Sequence, residues 1–327
     1  MIAFDDVMPV AVSWQHKTEG WPPMDIRRLH AFAKIIDIGS ITRASAILHI
    51  AQPALSQQIA SLEAHFGKAL LVRSKRGVVP TEAGKLLYRH CQIILKQFDQ
   101  AELEISASDE SLSGLVTVGL APLSLGSLVA TRLIRTIRDE HPGILLHINE
   151  NVGGGIISEM IMAGKVDIAL IYDPGGIPGV DFKPIQTEEL YFVSPVPLPA
   201  QAGEVTHAEA MKHPLILPDR IHTIRQVIDT TLSRTGLRAN VVAQTESISV
   251  LTGAMAEGIG ATILPRSVAR AVKQRLPHAT GYRIRKPNMK VNMAICASAQ
   301  LPLSEPAALV RKRLSELAQE VAVEANN

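Results

Sequence analysis

Near Gly114 the hydrophobic rhythm of this 327-residue chain changes, and the change limits what the chain can fold into. Before it, from Asp25 to Ser106, apolar residues recur mostly at three- and four-residue intervals, the spacing of amphipathic helices. After it, LVTVGLAP, ILLHINENV and VDIALIYDPGG read as strands, with SLGSLVATRLIRTIRDEHP and GGGIISEMIMAG between them as helices. The alternation returns in LILPDRIH, TIRQVIDTTLSRTG, VVAQTES, ISVLTGAMAEGIG and ATILP, which predicts two α/β subdomains with mostly parallel sheets. KPNMKVNMAICAS is a later strand and PAALVRKRLSELAQEVAVE a closing helix; a return to the first subdomain leaves two crossing connections at a hinge. The length suits two or three modules. A hydrophobic fraction of 46% with 20% charged residues fits a globular chain, since disorder needs fewer apolar residues and more charge.

The helical part resolves into short elements. Ile26, Leu29, Phe32, Ala33 and Ile36 make one amphipathic stripe, which Gly39 ends, and Ser40 caps the next helix. That second helix runs from Ile41 to about Leu48 and presents Ala44, Ile47 and Leu48 on one side. A third starts near Gln52, with Pro53 in the first turn where its missing N–H costs nothing, and buries Leu55, Ile59 and Leu62. Ala44, Ala46, Ala51 and Ala54 supply small side chains for a close crossing, as a helix-turn-helix requires. Its second helix would then offer Gln52, Pro53, Ser56 and Gln57 to base edges. Leu70–Val79 is β-like around Ser74-Lys75-Arg76-Gly77, a wing whose Arg73, Lys75 and Arg76, with Arg43 from the second helix, would hold phosphate. A helical bundle with a polar face is the alternative. From Met24 to Pro80 eight basic residues face three acids, a local net of +5 in a chain of net +2, so the positive charge is segregated where a polyanion would bind.

Thr81 then starts a helix running to about Ser106, in which Leu87, Cys91, Ile94, Phe98, Ala101 and Ile105 form a heptad seam. Such a seam predicts dimerisation, with packing on the chain's own domains as the alternative. The polar run SASDESLS reads as a linker. Beyond it, strand ends at Pro122–Ser124, Gly153–Gly155 and Tyr172-Asp173-Pro174 lead into helix starts or tight turns whose N–H groups attract anions, so the expected ligand is small and anionic.

Other chemistries fare poorly. Gly258-Ile259-Gly260 leads into a strand and makes no dinucleotide loop, the histidines form no HExxH pair, and no serine sits in a G-x-S-x-G elbow. We therefore expect no enzyme, cofactor or metal. Cys91 and Cys296 match no redox spacing and read as reduced packing thiols of a cytoplasmic protein, with a disulfide as the alternative. No run approaches the roughly 18 apolar residues of a membrane span, and the acidic start MIAFDDVMPV is no secretory signal. Residues 1–23 lack sustained periodicity and read as a disordered extension, with Met24 a candidate start of translation. A solute-binding protein is the second class for residues 114–327, but it needs a signal peptide and has no use for residues 24–106.

The segment MDIRRLHAFAKIIDIGSITRASAILHIAQPALSQQIASLEAHFGKALLVRSKRGVVPTEAGKLL resembles the DNA-binding domain of LysR-type transcriptional regulators, and the α/β remainder resembles their periplasmic-binding-protein-like effector domain. Within that family IDIGSITRASAILHIAQPALSQQIA, RSKRGVVPTEAGK and INENVGG are most similar to the subgroup that controls nitrogen assimilation. The resemblance implies that Gln52, Pro53 and Ser56 open the recognition helix, Arg73 is the basic wing residue and Thr81 caps the linker helix. Leu71, Pro80 and Gln57 depart from the family pattern, and Gln57 removes a charge, leaving more of the readout to hydrogen bonds. It also implies an inducer site between the subdomains, with Ser124, Val152, Gly153, Thr223, Thr245 and Ser247 as its residues. The expected organisation is an extension over 1–23, a winged helix-turn-helix over 24–80, a linker helix and hinge over 81–113, and an effector domain over 114–327. Its subdomain I spans about 114–185 and 290–327, and subdomain II about 186–289. A homodimer or homotetramer would bind a dyad-symmetric double-stranded DNA site and act on RNA polymerase, with no membrane involved.

Overall fold

The computed structural model describes residues 25–74, 77–106, 112–150, 156–199 and 203–326. The expectations for residues 1–23, Lys75, Arg76, Val152 and Gly153 lie outside the described residues. Contacts divide the chain into two compact units, Met1–Leu95 and Lys96–Asn327.

In the first unit, α1 (Ile26–Ile38) starts where the Asp25 carboxylate accepts the Arg28 N–H at 2.9 Å, and stops at Gly39, which takes the left-handed conformation the turn requires. Ser40 caps α2 (Ile41–Leu48), and α3 (Gln52–Phe66) follows with Pro53 in its first turn. Leu29, Phe32 and Ile35 of α1 meet Ala44 of α2 and Leu55, Ile59 and Leu62 of α3 in one core. Each large apolar side chain buried there is worth about 1.5–3 kcal/mol. Of the four alanines expected at the crossing only Ala44 is buried; Ala46, Ala51 and Ala54 are exposed, and Ile47 of the predicted stripe stays 58% exposed. The close approach is confined to one position, and the other alanines leave a low outer surface.

The wing is the antiparallel pair β1 (Leu71–Ser74) and β2 (Gly77–Pro80), with Leu71 opposite Pro80 and Ser74 opposite Gly77. Its base is tied to the α1–α2 turn where the Val78 N–H donates to the Gly39 carbonyl at 2.9 Å. A Cβ on Gly77 would lie 2.6 Å from that same oxygen, so the wing can sit this close only with glycine there. The long helix α4 (Glu82–Ser106) begins at Thr81, whose hydroxyl accepts the Gly84 N–H at 3.0 Å and donates to the Ala69 carbonyl at 2.8 Å.

The second unit is built on an eight-stranded mixed sheet. Strand β3 (Gly114–Leu120) runs parallel to β4 (Ile144–Asn149) and β5 (Ile168–Tyr172). Helix α5 (Gly126–Glu140) follows β3, α6 (Ile156–Met162) precedes β5, and the closing α11 (Glu305–Asn326) packs on α5. The 15-residue β6 (Val180–Ser194) pairs through Glu189 with β12 (Lys290–Ser298), and from Leu190 onward with β10 (Thr262–Pro265) and β11 (Thr280–Ile284). Around that second half lie β7 (Glu204–Val205), α7 (His207–Ala210), the parallel pair β8 (Pro214–Leu217) and β9 (Asn240–Gln244), and the helices α8 (Thr223–Thr235), α9 (Ile248–Ala256) and α10 (Arg266–Arg275).

Two differences from the expected α/β pattern share one cause. The sheet is not mostly parallel: β12 is antiparallel to β5 and β6, and β10 and β11 are antiparallel to β6. β6 leaves the side of the sheet formed by β3, β4 and β5 and β12 returns to it, so the two run in opposite senses. The outward crossing strand, β6, had no strand signal because Asp181, Lys183, Gln186, Thr187 and Glu189 keep its first half polar and mostly half-exposed. Strands β7 and β11 and helices α7 and α10 were likewise not anticipated.

Candidate DNA-contact surface and ligand cleft

On α3 the side chains of Gln52, Pro53 and Gln57 are exposed and Ser56 is half-buried, all within the first two turns. Ala51 precedes the helix and offers no side-chain cap, so early N–H groups of α3 are left for an outside acceptor. Arg73 is exposed on β1. Arg43 is exposed too, but its Nη2 donates to the Ile38 carbonyl at 2.6 Å, which anchors it to the end of α1. The Thr81 hydroxyl is occupied by its cap and by Ala69, so its part is to set the start of α4.

Two residues that sequence reading passed over hold this surface together. Arg28 of α1 donates to the Ser61 hydroxyl of α3 at 3.1 Å. Glu63 of α3 accepts the Leu70 and Leu71 N–H groups at 2.8 and 3.2 Å, fixing the wing to α3. The acidic residue among so many basic ones was the signal for Glu63; nothing in local spacing pointed to its partners.

The α4 seam splits in two. Cys91 is fully buried in the core of the first unit and Leu87 packs beside it. Ile94 and Phe98 are each 44% exposed and Ile105 85%, with Ala101 exposed between them. Burial pushes the thiols of Cys91 and Cys296 up to about 12, leaving both free and unreactive.

In the second unit a cavity of about 360 Å³ opens beside the N-termini of α5 and α9. Ser124 and Ser247, two of the six expected ligand residues, line it. The Ser124 hydroxyl is engaged with the Ala121 carbonyl at 2.6 Å and the Gly126 N–H at 2.9 Å, and Ser247 caps α9. Leu123 beside them has φ +51°, a strained left-handed conformation for a branched residue. Thr245 and Thr223 are not part of the lining; Thr245 accepts the Ser247 N–H at 3.2 Å, and Thr223 is the first residue of α8. Pro122 on one wall meets His222 Nε2 at 3.3 Å, and burial holds that imidazole below its usual range.

Three charged residues on the lining were not expected: Glu150, Glu246 and Arg275. Burial, reinforced by Asp219, holds the Glu246 carboxyl above the usual carboxylate range. A larger groove of about 700 Å³ lies between α5, α10 and α11. There Arg132 grips Glu324 with two bonds of 2.9 and 2.6 Å, and Arg270 donates to the Glu324 carbonyl at 2.9 Å. Among the described residues no cluster of His, Cys, Asp and Glu could hold a metal, and no helix is long and apolar enough to cross a membrane.

Known proteins share this arrangement. A family model described as "Bacterial regulatory helix-turn-helix protein, lysR family" matches residues 26–85, and one described as "LysR substrate binding domain" matches residues 109–319. The chain is 38% identical over 303 residues to the nitrogen assimilation regulatory protein nac of Klebsiella aerogenes, covering 92% of this chain and 97% of that protein. Among solved structures, a full-length OxyR variant from Pseudomonas aeruginosa aligns with TM-score 0.66 at 21% identity, covering 91% of this chain and 98% of that one. Full-length CbnR in complex with its target DNA aligns with TM-score 0.62 at 19% identity, covering 91% and 100% of the two chains.

Proposed function

This chain belongs to the LysR family of bacterial helix-turn-helix regulatory proteins, and on that premise we propose that its targets are genes of nitrogen assimilation. It is a DNA-binding transcriptional regulator. The observation that carries the nitrogen assignment is the 38% identity to the nac regulator, which extends over 92% of this chain and so includes both the DNA-binding and the ligand-binding parts.

The division of labour follows from chemistry. Gln52 and Gln57 are exposed at the start of α3, and glutamine can bond adenine through both of its polar atoms; Ser56 can bond either member of a pair. Arg73, with Lys75 and Arg76 that follow it in sequence and Arg43 of α2, contacts phosphate and sets register. Two copies joined through the exposed part of α4 read a dyad-symmetric site, and a tetramer bends the DNA between two such pairs. Residues 114–185 with 290–327, and residues 186–289, are taken as subdomains that hinge along β6 and β12 and enclose the effector cleft. The output is transcription by RNA polymerase in the cytoplasm, with no reaction catalysed.

Genome-wide mapping of binding sites under nitrogen excess and limitation, with the wild-type chain and with Gln52→Ala, tests the reading. Wild-type sites should cluster at nitrogen-assimilation promoters. Gln52→Ala should lose them through a drop of about 1–3 kcal/mol in specific affinity, while nonspecific binding holds. Sites unrelated to nitrogen genes would reject the assignment, and equal losses on specific and nonspecific DNA would reject the role of Gln52.

A further inference from the structure

The charges that line the effector cleft do not suit a simple anion. Glu150 and Glu246 both face it, and neither is paired with a cation among the described residues. A ligand carrying only negative charge would be repelled by the two carboxylates on the wall of this concave space. A ligand carrying only positive charge meets the opposite difficulty. Arg275, also unpaired among the described residues, stands on the same lining, and the N-termini of the 15-residue α5 and the nine-residue α9 open beside it.

Only a molecule with both signs satisfies every group present. The cavity of about 360 Å³ lies at the small end of ligand sites, which leaves room for one compact solute. The cavity lies within residues 109–319, the segment matched as a LysR substrate binding domain. We propose that the cleft takes a free amino acid, its ammonium held by Glu150 and Glu246 and its carboxylate by Arg275 and the helix N-terminal N–H groups. The assignment rests on reading this cleft as the effector site, and it replaces the small anion that the helix starts alone suggest. Glu246 is the more informative of the two glutamates, because its partial burial makes an unpaired negative charge costly there and an incoming ammonium correspondingly favourable.

The test uses the full chain and titration calorimetry against the standard amino acids. Each one that binds is then compared with its deaminated acid and its decarboxylated amine, and promoter binding is followed in parallel. At least one amino acid should bind, removal of either its amino or its carboxylate group should weaken binding by about tenfold or more, and Glu246→Gln should do the same. A far-ultraviolet circular dichroism spectrum and melting temperature matching the wild type show that Glu246→Gln is folded. Deaminated acids that bind as well as the amino acids would overturn the zwitterion while keeping the cleft as an effector site. No binding by any amino acid, or full affinity in Glu246→Gln, would overturn the proposal; loss of promoter binding by the wild type would instead count against the regulator reading.

Discussion

Glu188 owes its environment wholly to tertiary packing. It lies on β6, 5% exposed, and accepts the Ser267 N–H at 3.1 Å and the Ser267 hydroxyl at 2.5 Å. Burial raises its carboxyl above the usual range, and the two Ser267 bonds only partly oppose that. A carboxyl whose folded-state value is raised binds its proton more tightly in the native than in the unfolded chain. The stability it contributes is therefore full below its ordinary value of 4.5 and is lost as pH rises through the higher folded-state value. Glu188→Gln, which keeps the shape without the charge, should raise the melting temperature of the second unit at pH 7, with no gain near pH 4. Thermal melts of both proteins at the two pH values check this; a Glu188→Gln protein less stable at pH 7 would contradict it. Gln52 and Ser56 were proposed from their place in the first two turns of a helix, and Ser124 and Ser247 from the family resemblance. Glu188, Glu246 and Arg275 were not, since no local spacing links a charged side chain to a partner dozens of residues away.

At the scale of elements, helix ends were the most legible feature. Asp25, Ser40, Thr81, Gly39 and Pro53 each stop or start a helix by chemistry confined to a few neighbouring residues. The attachment of one element to another was less visible. Glu63 holds two N–H groups at the entry to β1, so Glu63→Ala should destabilise the first unit by about 1–3 kcal/mol and loosen the wing, lowering affinity for both specific and nonspecific DNA. Glu63→Gln keeps an acceptor oxygen and should recover most of the loss. Urea denaturation with DNA titration on the three proteins measures it, and a fully stable Glu63→Ala would remove Glu63 from this role. β6 escaped detection for a related reason: its first half pairs with β12 inside the one mixed sheet while staying polar and largely accessible, so it has no apolar alternation to read.

At the scale of the whole molecule, only part of the α4 seam is committed to the core of its own unit. Leu87 and Cys91 complete the core of their own unit, which leaves Ile94, Phe98, Ala101 and Ile105 as the stretch free to meet a second copy. Changing Ile94 and Phe98 together to glutamate should lower the sedimenting mass to that of a monomer while the helical circular dichroism is preserved, because both side chains are half in water already. An unchanged mass would move the interface elsewhere. By itself the sequence determined that a basic winged helix-turn-helix precedes a long helix and an α/β ligand-binding part. Periodicity, caps and segregated charge are local properties, and they act before the chain is compact. The tertiary structure alone decided which half of the α4 seam is free, that β6 and β12 cross in opposite senses, and that Glu150, Glu246 and Arg275 share one cavity. Each depends on contacts between segments far apart in the chain, where burial and neighbouring charge, not residue type, set what a side chain does.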